Sequence, residues 1–204
     1  MSGPAGPPKE AVHVGKMLRT ASLILCLCLL CSCGGRSHRE KGSFLKLRAK
    51  WLEQGSVTLR SRVRADYGDR VYGFLLDYEG SGEGGTLRVE EPLELEGVEA
   101  ALDEKGVTLC YDGVILDTGA ILGNLSPLEA FPLLVRTWQR GFVTDCWREN
   151  WKGKACLTAQ FDLTEAGEAE ERLCVSRFRP TDGTPLSAEL LADGRTFLSC
   201  EFIE

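Results

Sequence analysis

The hydrophobic positions of this chain change their period from segment to segment. Residues 21–33 form a nearly continuous apolar run of Leu, Ile and Cys, preceded by Lys16 and Arg19. Phe44, Leu47 and Trp51 then recur at helical spacing, opposite Lys46 and Lys50, with Ser43 placed to cap the helix and Gly55 to stop it. Arg48 interrupts the edge of that apolar face. The spacing predicts a helix that docks on a sheet, with a helix lying on a membrane surface as the alternative reading.

Beyond residue 55 the period falls to two, which predicts half-buried strands at 56–65, 70–79, 86–91, 98–102, 107–111 and 114–117. Asp112-Gly113 suits a two-residue hairpin turn. The Gly-rich stretch 80–85 has no Lys-Ser/Thr after it, so it reads as a turn and not as a phosphate-binding loop. One strong helix interrupts the strands: Ser126 caps it, Pro127 opens it, Glu129 completes a capping box, and Gly141 ends it. Its apolar stripe is Leu128, Phe131, Leu134, Val135 and Trp138, and Pro132 is expected to kink or shorten its first turns. Strands resume at 142–149, 154–161, 172–178, 185–191 and 196–202, with turns at 151–153, 165–167, 181–183 and 193–194. The order is a helix, six strands, a helix and five strands, without an internal repeat.

The apolar run is an export signal by length. Thirteen helical residues reach ~20 Å, short of the ~30 Å hydrocarbon core of a bilayer. A basic flank, a short apolar centre and small residues at its end describe a signal peptide over residues 1–32, with Met17 as an alternative start that makes 1–16 superfluous. Leu30-Cys31-Ser32-Cys33 resembles the lipobox of bacterial lipoproteins, in which the last cysteine receives a diacylglycerol by thioether linkage; Cys33 is that residue here. Residues 33–43 then read as the lipidated cysteine and a polar tether, and 44–204 as the folded domain. The chain is expected on the outer face of the cytoplasmic membrane, held by its lipid anchor.

Composition narrows the chemistry. Net charge is −6, which argues against nucleic acid as a partner. Both histidines, His13 and His38, precede the domain, so no Ser-His-Asp or Cys-His pair and no histidine-bound zinc fits inside it. Asp66, Asp69, Asp77, Asp112, Asp117 and Asp145 leave a two-carboxylate hydrolase formally open, although several sit beside Gly or in turns, where Asp serves the local backbone. Four of the nine cysteines precede the folded domain, three in the signal peptide and Cys33 as the anchor. Of the other five, Cys146 and Cys156 flank Trp151 symmetrically, and a three-residue loop there would set them face to face for a disulfide. Buried free thiols are the competing reading. An acidic, histidine-free body suits a binder better than a catalyst, so a non-enzymatic protein with no cofactor and no metal is expected.

Specific stretches also carry a resemblance: Val63-Arg64-Ala65-Asp66-Tyr67-Gly68-Asp69-Arg70-Val71-Tyr72, Cys110-Tyr111-Asp112-Gly113-Val114-Ile115-Leu116-Asp117-Thr118-Gly119, Leu125-Ser126-Pro127 and Cys146-Trp147-Arg148-Glu149. Together they resemble lipoproteins of spore-forming Clostridia with a LolA/LolB-like fold, including the germination lipoprotein GerS family. The resemblance implies an α+β fold: a strongly curved antiparallel β-sheet, an incomplete barrel of about 11 strands, with helices covering the concave side. It also implies a membrane-anchored protein that binds a lipid or acyl chain, or a protein partner. The alternative it implies is an accessory lipoprotein that supports a spore cortex hydrolase in germination. The residues expected to meet a ligand or partner are Leu128, Phe131, Leu134, Val135 and Trp138 on the helix, and Tyr72, Phe74 and Tyr78 on the second strand.

Overall fold

Alternation of side chains across a strand decides which residues face inward, and β1 (Val57–Asp66) shows it cleanly, burying every second residue from Val57 to Ala65. The computed structural model describes residues 34–103, 106–117, 127–164 and 169–203. Residues 1–33, with the expected signal peptide and Cys33, lie outside that set, as do Ser126 and the turn expected at 165–167. Helix α1 covers Gly34–Glu53. Five strands follow β1: β2 (Val71–Gly80), β3 (Gly85–Glu91), β4 (Glu99–Asp103), β5 (Gly106–Tyr111) and β6 (Val114–Asp117), with a 3₁₀ turn at Leu93–Leu95. Helix α2 (Pro127–Arg140) leads into β7 (Phe142–Trp151), β8 (Lys154–Asp162), β9 (Arg172–Phe178), β10 (Pro185–Ala192) and β11 (Arg195–Ile203).

All eleven strands join one antiparallel sheet in the order β6-β5-β4-β3-β2-β1-β11-β10-β9-β8-β7. Each half is a meander, and the halves are stitched where β1 pairs β11, with Arg60 opposite Ile203 and Ala65 opposite Leu198. Among the described residues β6 and β7 are edges that do not meet, so the sheet is a curved, unclosed barrel with the two helices on its concave side.

The hairpins are set by glycine. At Asp112-Gly113, Lys152-Gly153 and Asp193-Gly194 both central residues have positive φ, between 47° and 79°, the two-residue turn whose twist matches paired strands. The glycines at 80–85 answer a different need, close approach: a Cβ on Gly80 would lie 2.4 Å from the Gly84 carbonyl oxygen. That tight wrap brings the carbonyls of Ser81 and Gly84 to 2.6 and 2.9 Å from the Tyr78 hydroxyl, which donates to them.

The two helices finish each other's ends. Arg48 Nε and Nη2 donate to the carbonyls of Trp138 and Gly141, at 3.0 and 2.7 Å, placing a cation on the C-terminal carbonyls of α2. In return Gln139 Nε2 donates to the Trp51 carbonyl near the end of α1. The charge that interrupts the apolar face of α1 is therefore a cap for its neighbour.

Three expectations are corrected. Helix α1 begins at Gly34, not at a Ser43 cap. Two residues assigned to the tether grip β7 instead: Arg148 Nε donates to Glu40 Oε2 at 2.8 Å, and Lys41 Nζ donates to the Thr144 carbonyl at 2.6 Å. These contacts offset the ~1 kcal/mol that a mid-helix glycine such as Gly42 costs. Helix α2 runs through Pro132 with its first turns intact, because the buried stripe from Phe131 to Trp138 offsets the single backbone bond that proline forfeits. The third concerns the cysteines. The turn after Trp151 has two residues, so Cys146 sits opposite Ala159 and Cys156 opposite Glu149. Their side chains point to opposite faces of the sheet, and both are free thiols.

Candidate ligand pocket

The concave face has two parts of different character. Over β8–β11 it is filled by rings: Phe44, Trp51, Trp138, Phe161 and Phe178 pack edge-on or tilted at centroid spacings of 5.0 to 6.5 Å. Trp138 is fully buried and its Nε1 donates to Ser176 Oγ at 2.8 Å, satisfying its polar atom. Phe131, Leu134 and Val135 are equally enclosed, and Tyr78 stacks on Phe131 at 5.4 Å. Five of the eight side chains named from the sequence thus lie in the core, with no free surface to offer.

The other three line an opening. Between β2–β5, the 3₁₀ turn at Leu93–Leu95 and the first turn of α2 lies a pocket of about 360 Å³. Tyr72, Phe74 and Leu76 form one wall, with Val89, Val98 and Leu109 along the neighbouring strands. Leu95 closes one side, Pro127 and Leu128 the other, and Tyr67 stands at the mouth. Tyr67 meets Tyr72 edge-on at 5.9 Å, and Tyr72 stacks on Phe74 at 6.4 Å, giving a half-exposed aromatic ladder into the cavity. Among the described residues no charged side chain lines it. Burial, with a smaller contribution from Tyr72, raises the Tyr67 hydroxyl above its ordinary value, so it stays a neutral donor. The volume and the apolar lining match small-ligand sites. Tyr67, Val98, Leu95 and Leu109 escaped the sequence reading because a pocket is defined by space left unfilled between strands far apart in the chain, which periodicity does not report.

The remaining candidate chemistry is committed elsewhere. Asp66 Oδ1 accepts from the Gly68 amide and from Arg195 Nη2, both at 3.0 Å, and Asp145 accepts from the Cys146 amide at 2.8 Å. Asp77 faces Arg60, and Asp69 lies beside Arg70. Asp112 occupies its hairpin turn. The Asp117 side chain lies outside those described. Burial pushes the thiols of Cys146 up to about 11 and of Cys174 and Cys200 up to about 12, leaving them protonated and poor nucleophiles. Among the described residues no group of three or more His, Cys, Asp or Glu is arranged to hold a metal, and no helix is long and apolar enough to cross a membrane.

On the opposite face β8 and β10 are buried as well. Arg177 lies there between two carboxylates, donating to Glu149 Oε1 and Glu189 Oε1, each at 2.8 Å, while Thr158 Oγ1 also donates to Glu149. Burial alone would raise the Glu149 carboxyl, but donors from Thr158, Arg177 and Trp147 outweigh it and hold it below the ordinary glutamate value.

No family model matches the sequence, and no curated protein does. Among solved structures, the chain is similar to a LolA superfamily protein from Nitrosomonas europaea, at 12% identity and a TM-score of 0.43, covering 76% of this chain and 73% of that one. It is similar to a chain in the complex of the CwlD amidase with the GerS lipoprotein from Clostridioides difficile, at 12% identity and 0.43, covering 78% and 92%. The Mycobacterium tuberculosis lipoprotein LppX matches at 11% identity and 0.40, covering 78% and 91%. The structural neighbours of this chain are thus LolA superfamily proteins and lipoproteins, at low sequence identity.

Proposed function

We propose that this protein is a non-enzymatic lipoprotein, anchored through Cys33 to the outer face of the cytoplasmic membrane, that binds a hydrophobic ligand such as an acyl chain. The apolar pocket between β2–β5 and α2 carries the reading. An acyl chain entering it would gain ~0.8 kcal/mol for each methylene removed from water. The described lining residues include no cation to pair with a free carboxylate, so the pocket suits the chain of an esterified lipid, with Tyr67 and Tyr72 among its lining to meet polar ester groups. Mass spectrometry of the protein extracted from its own membrane tests this. Bound lipid in the parent chain, lost in Leu128→Trp, is the expected result; a parent chain that carries no lipid and takes up no fluorescent acyl probe would sink it.

A second reading draws on a different surface. Tyr111, Val114 and Ile115 on the β5–β6 hairpin are exposed, Ile115 to 70%. Exposed apolar residues on both faces of a hairpin, Tyr111 and Val114 on one and Ile115 on the other, suit a protein partner, and the GerS lipoprotein has been seen with an amidase. In this reading the body holds a spore cortex hydrolase. Co-purification of that hydrolase with the parent but not with Val114→Asp/Ile115→Asp is expected; normal germination after deletion of the gene would refute it.

A further inference from the structure

Helix α1 has a second amphipathic face that its docking does not use. Phe44, Leu47 and Trp51 are buried against the body, yet Leu45 and Leu52 are 54% and 51% exposed on the flank of the helix, Leu52 beside a groove shared with α2. At 3.6 residues per turn, positions 45, 49 and 52 form one row, Leu45, Ala49 and Leu52, all exposed. Lys46 and Lys50 form a parallel row beside it, also exposed, with Glu53 between the rows at the C-terminal end. A solvated helix face would need the lysines but not the leucines.

Charge says what would cover this face. Over Gly34–Glu53 there are six Lys and Arg against two Glu, a net charge of +4, whereas residues 54–204 hold 15 Lys and Arg against 27 Asp and Glu, a net −12. Of the cations from Lys41 onward, Lys41 and Arg48 are spent on contacts with the body, and Lys46 and Lys50 are exposed. The helix also starts one residue after Cys33.

We infer that the outer face of α1 lies on an anionic phospholipid surface, its leucines at the headgroup boundary and its lysines on the phosphates. A single lipid anchor holds a protein near the bilayer without orienting it; an adjoining basic amphipathic helix supplies the second contact. The net-acidic remainder is repelled on average by the same surface, which favours turning this face toward it. The inference rests on the anchored reading only for what brings the helix to the membrane.

Its test therefore uses the full chain carrying Cys33→Ser, so that no acyl chain contributes, binding to vesicles of phosphatidylcholine with phosphatidylglycerol. The apolar segment 21–33 is common to every variant, so differences report on α1. Lys46→Gln/Lys50→Gln should weaken binding ~30-fold, since each lysine at an anionic surface contributes on the order of 1 kcal/mol. Leu45→Gln/Leu52→Gln should weaken it on neutral and anionic vesicles alike. A photoactivatable benzoylphenylalanine in place of Ala49 should capture phospholipid in native membranes. Variants that bind like the parent, or an Ala49 probe that captures a protein, overturn the inference. Incorporation of a labelled fatty acid by the parent chain but not by Cys33→Ser tests the anchor separately, because an unlabelled parent would refute lipidation without touching the vesicle result.

Discussion

The two halves of the concave face make a natural experiment in what one sheet can do. Over β8–β11 the rings of Phe44, Trp51, Trp138, Phe161 and Phe178 fill the space, and the reverse face is closed by the Glu149–Arg177–Glu189 cluster. Over β2–β5 the described residues that reach across are those of α2 and the Leu93–Leu95 turn, and near the first turn of α2 the lining residues leave about 360 Å³ between them. Helix α1 accounts for the difference, because its Phe44 and Trp51 supply rings to one half only. Stability and binding are thus separated along the sheet, and substitutions on the two sides should differ in kind.

Trp138→Ala should have the largest effect. Removing a fully buried indole and its bond to Ser176 should cost about 3–5 kcal/mol in urea unfolding, without a selective change in ligand uptake by molecules still folded. Arg177→Met comes next, at about 2 kcal/mol, less than for a fully enclosed pair because the two carboxylates are a third exposed. The same cluster predicts an acid response. A carboxyl held below its ordinary value stabilises the fold above the unfolded-state pKa, and that contribution disappears as pH falls through the lowered value. Unfolding measured from neutral to acidic pH should therefore show a steeper loss in the parent than in Arg177→Met. In the open half, Phe74→Ala should cost only about 1 kcal/mol, since the ring is partly buried, while weakening uptake of an acyl probe. If Phe74→Ala destabilised as much as Trp138→Ala, the division between the halves would fail. The mildest probe is a thiol reagent on the native protein. Of the five body cysteines, Cys110 on β5 is the one not buried and should react first, with Cys146, Cys156, Cys174 and Cys200 reacting only on unfolding.

Much of this fold is legible in the sequence because its signals are local. Eleven strands in two runs of six and five follow from alternation, and Asp112-Gly113 and Asp193-Gly194 mark their hairpins without ambiguity. Pro127 at the first position and a stripe at helical spacing likewise place α2. The reading fails where distant residues decide. Arg148 and Thr144, more than a hundred positions away, hold Glu40 and Lys41 in a helix that the local glycines do not suggest. At residues 151–153 a shift of one position in the turn moved each cysteine's partner and turned the two sulfurs away from each other. The stripe of α2 is equally apolar from Leu128 to Trp138; only the reach of α1 determines that its far end is sealed while Leu128 borders a cavity.

The pairing of β1 with β11 has a consequence for how the protein is made. Strand β11 is last in sequence but central in the sheet, and Ser61 and Phe202, paired across that seam, are 141 positions apart. A chain threaded through a membrane from its N-terminus would present β1 to β6, α2 and β7 to β10 in turn, each able to pair only with its immediate neighbours. The seam can close only after the final nine-residue strand has emerged. Long-range closure of this kind is slow, and until it happens the aromatic rings and the unpaired edge of β1 are open to solvent. Assembly is thereby tied to the emergence of β11: a chain stalled short of Arg195 would hold two sheets in place of one.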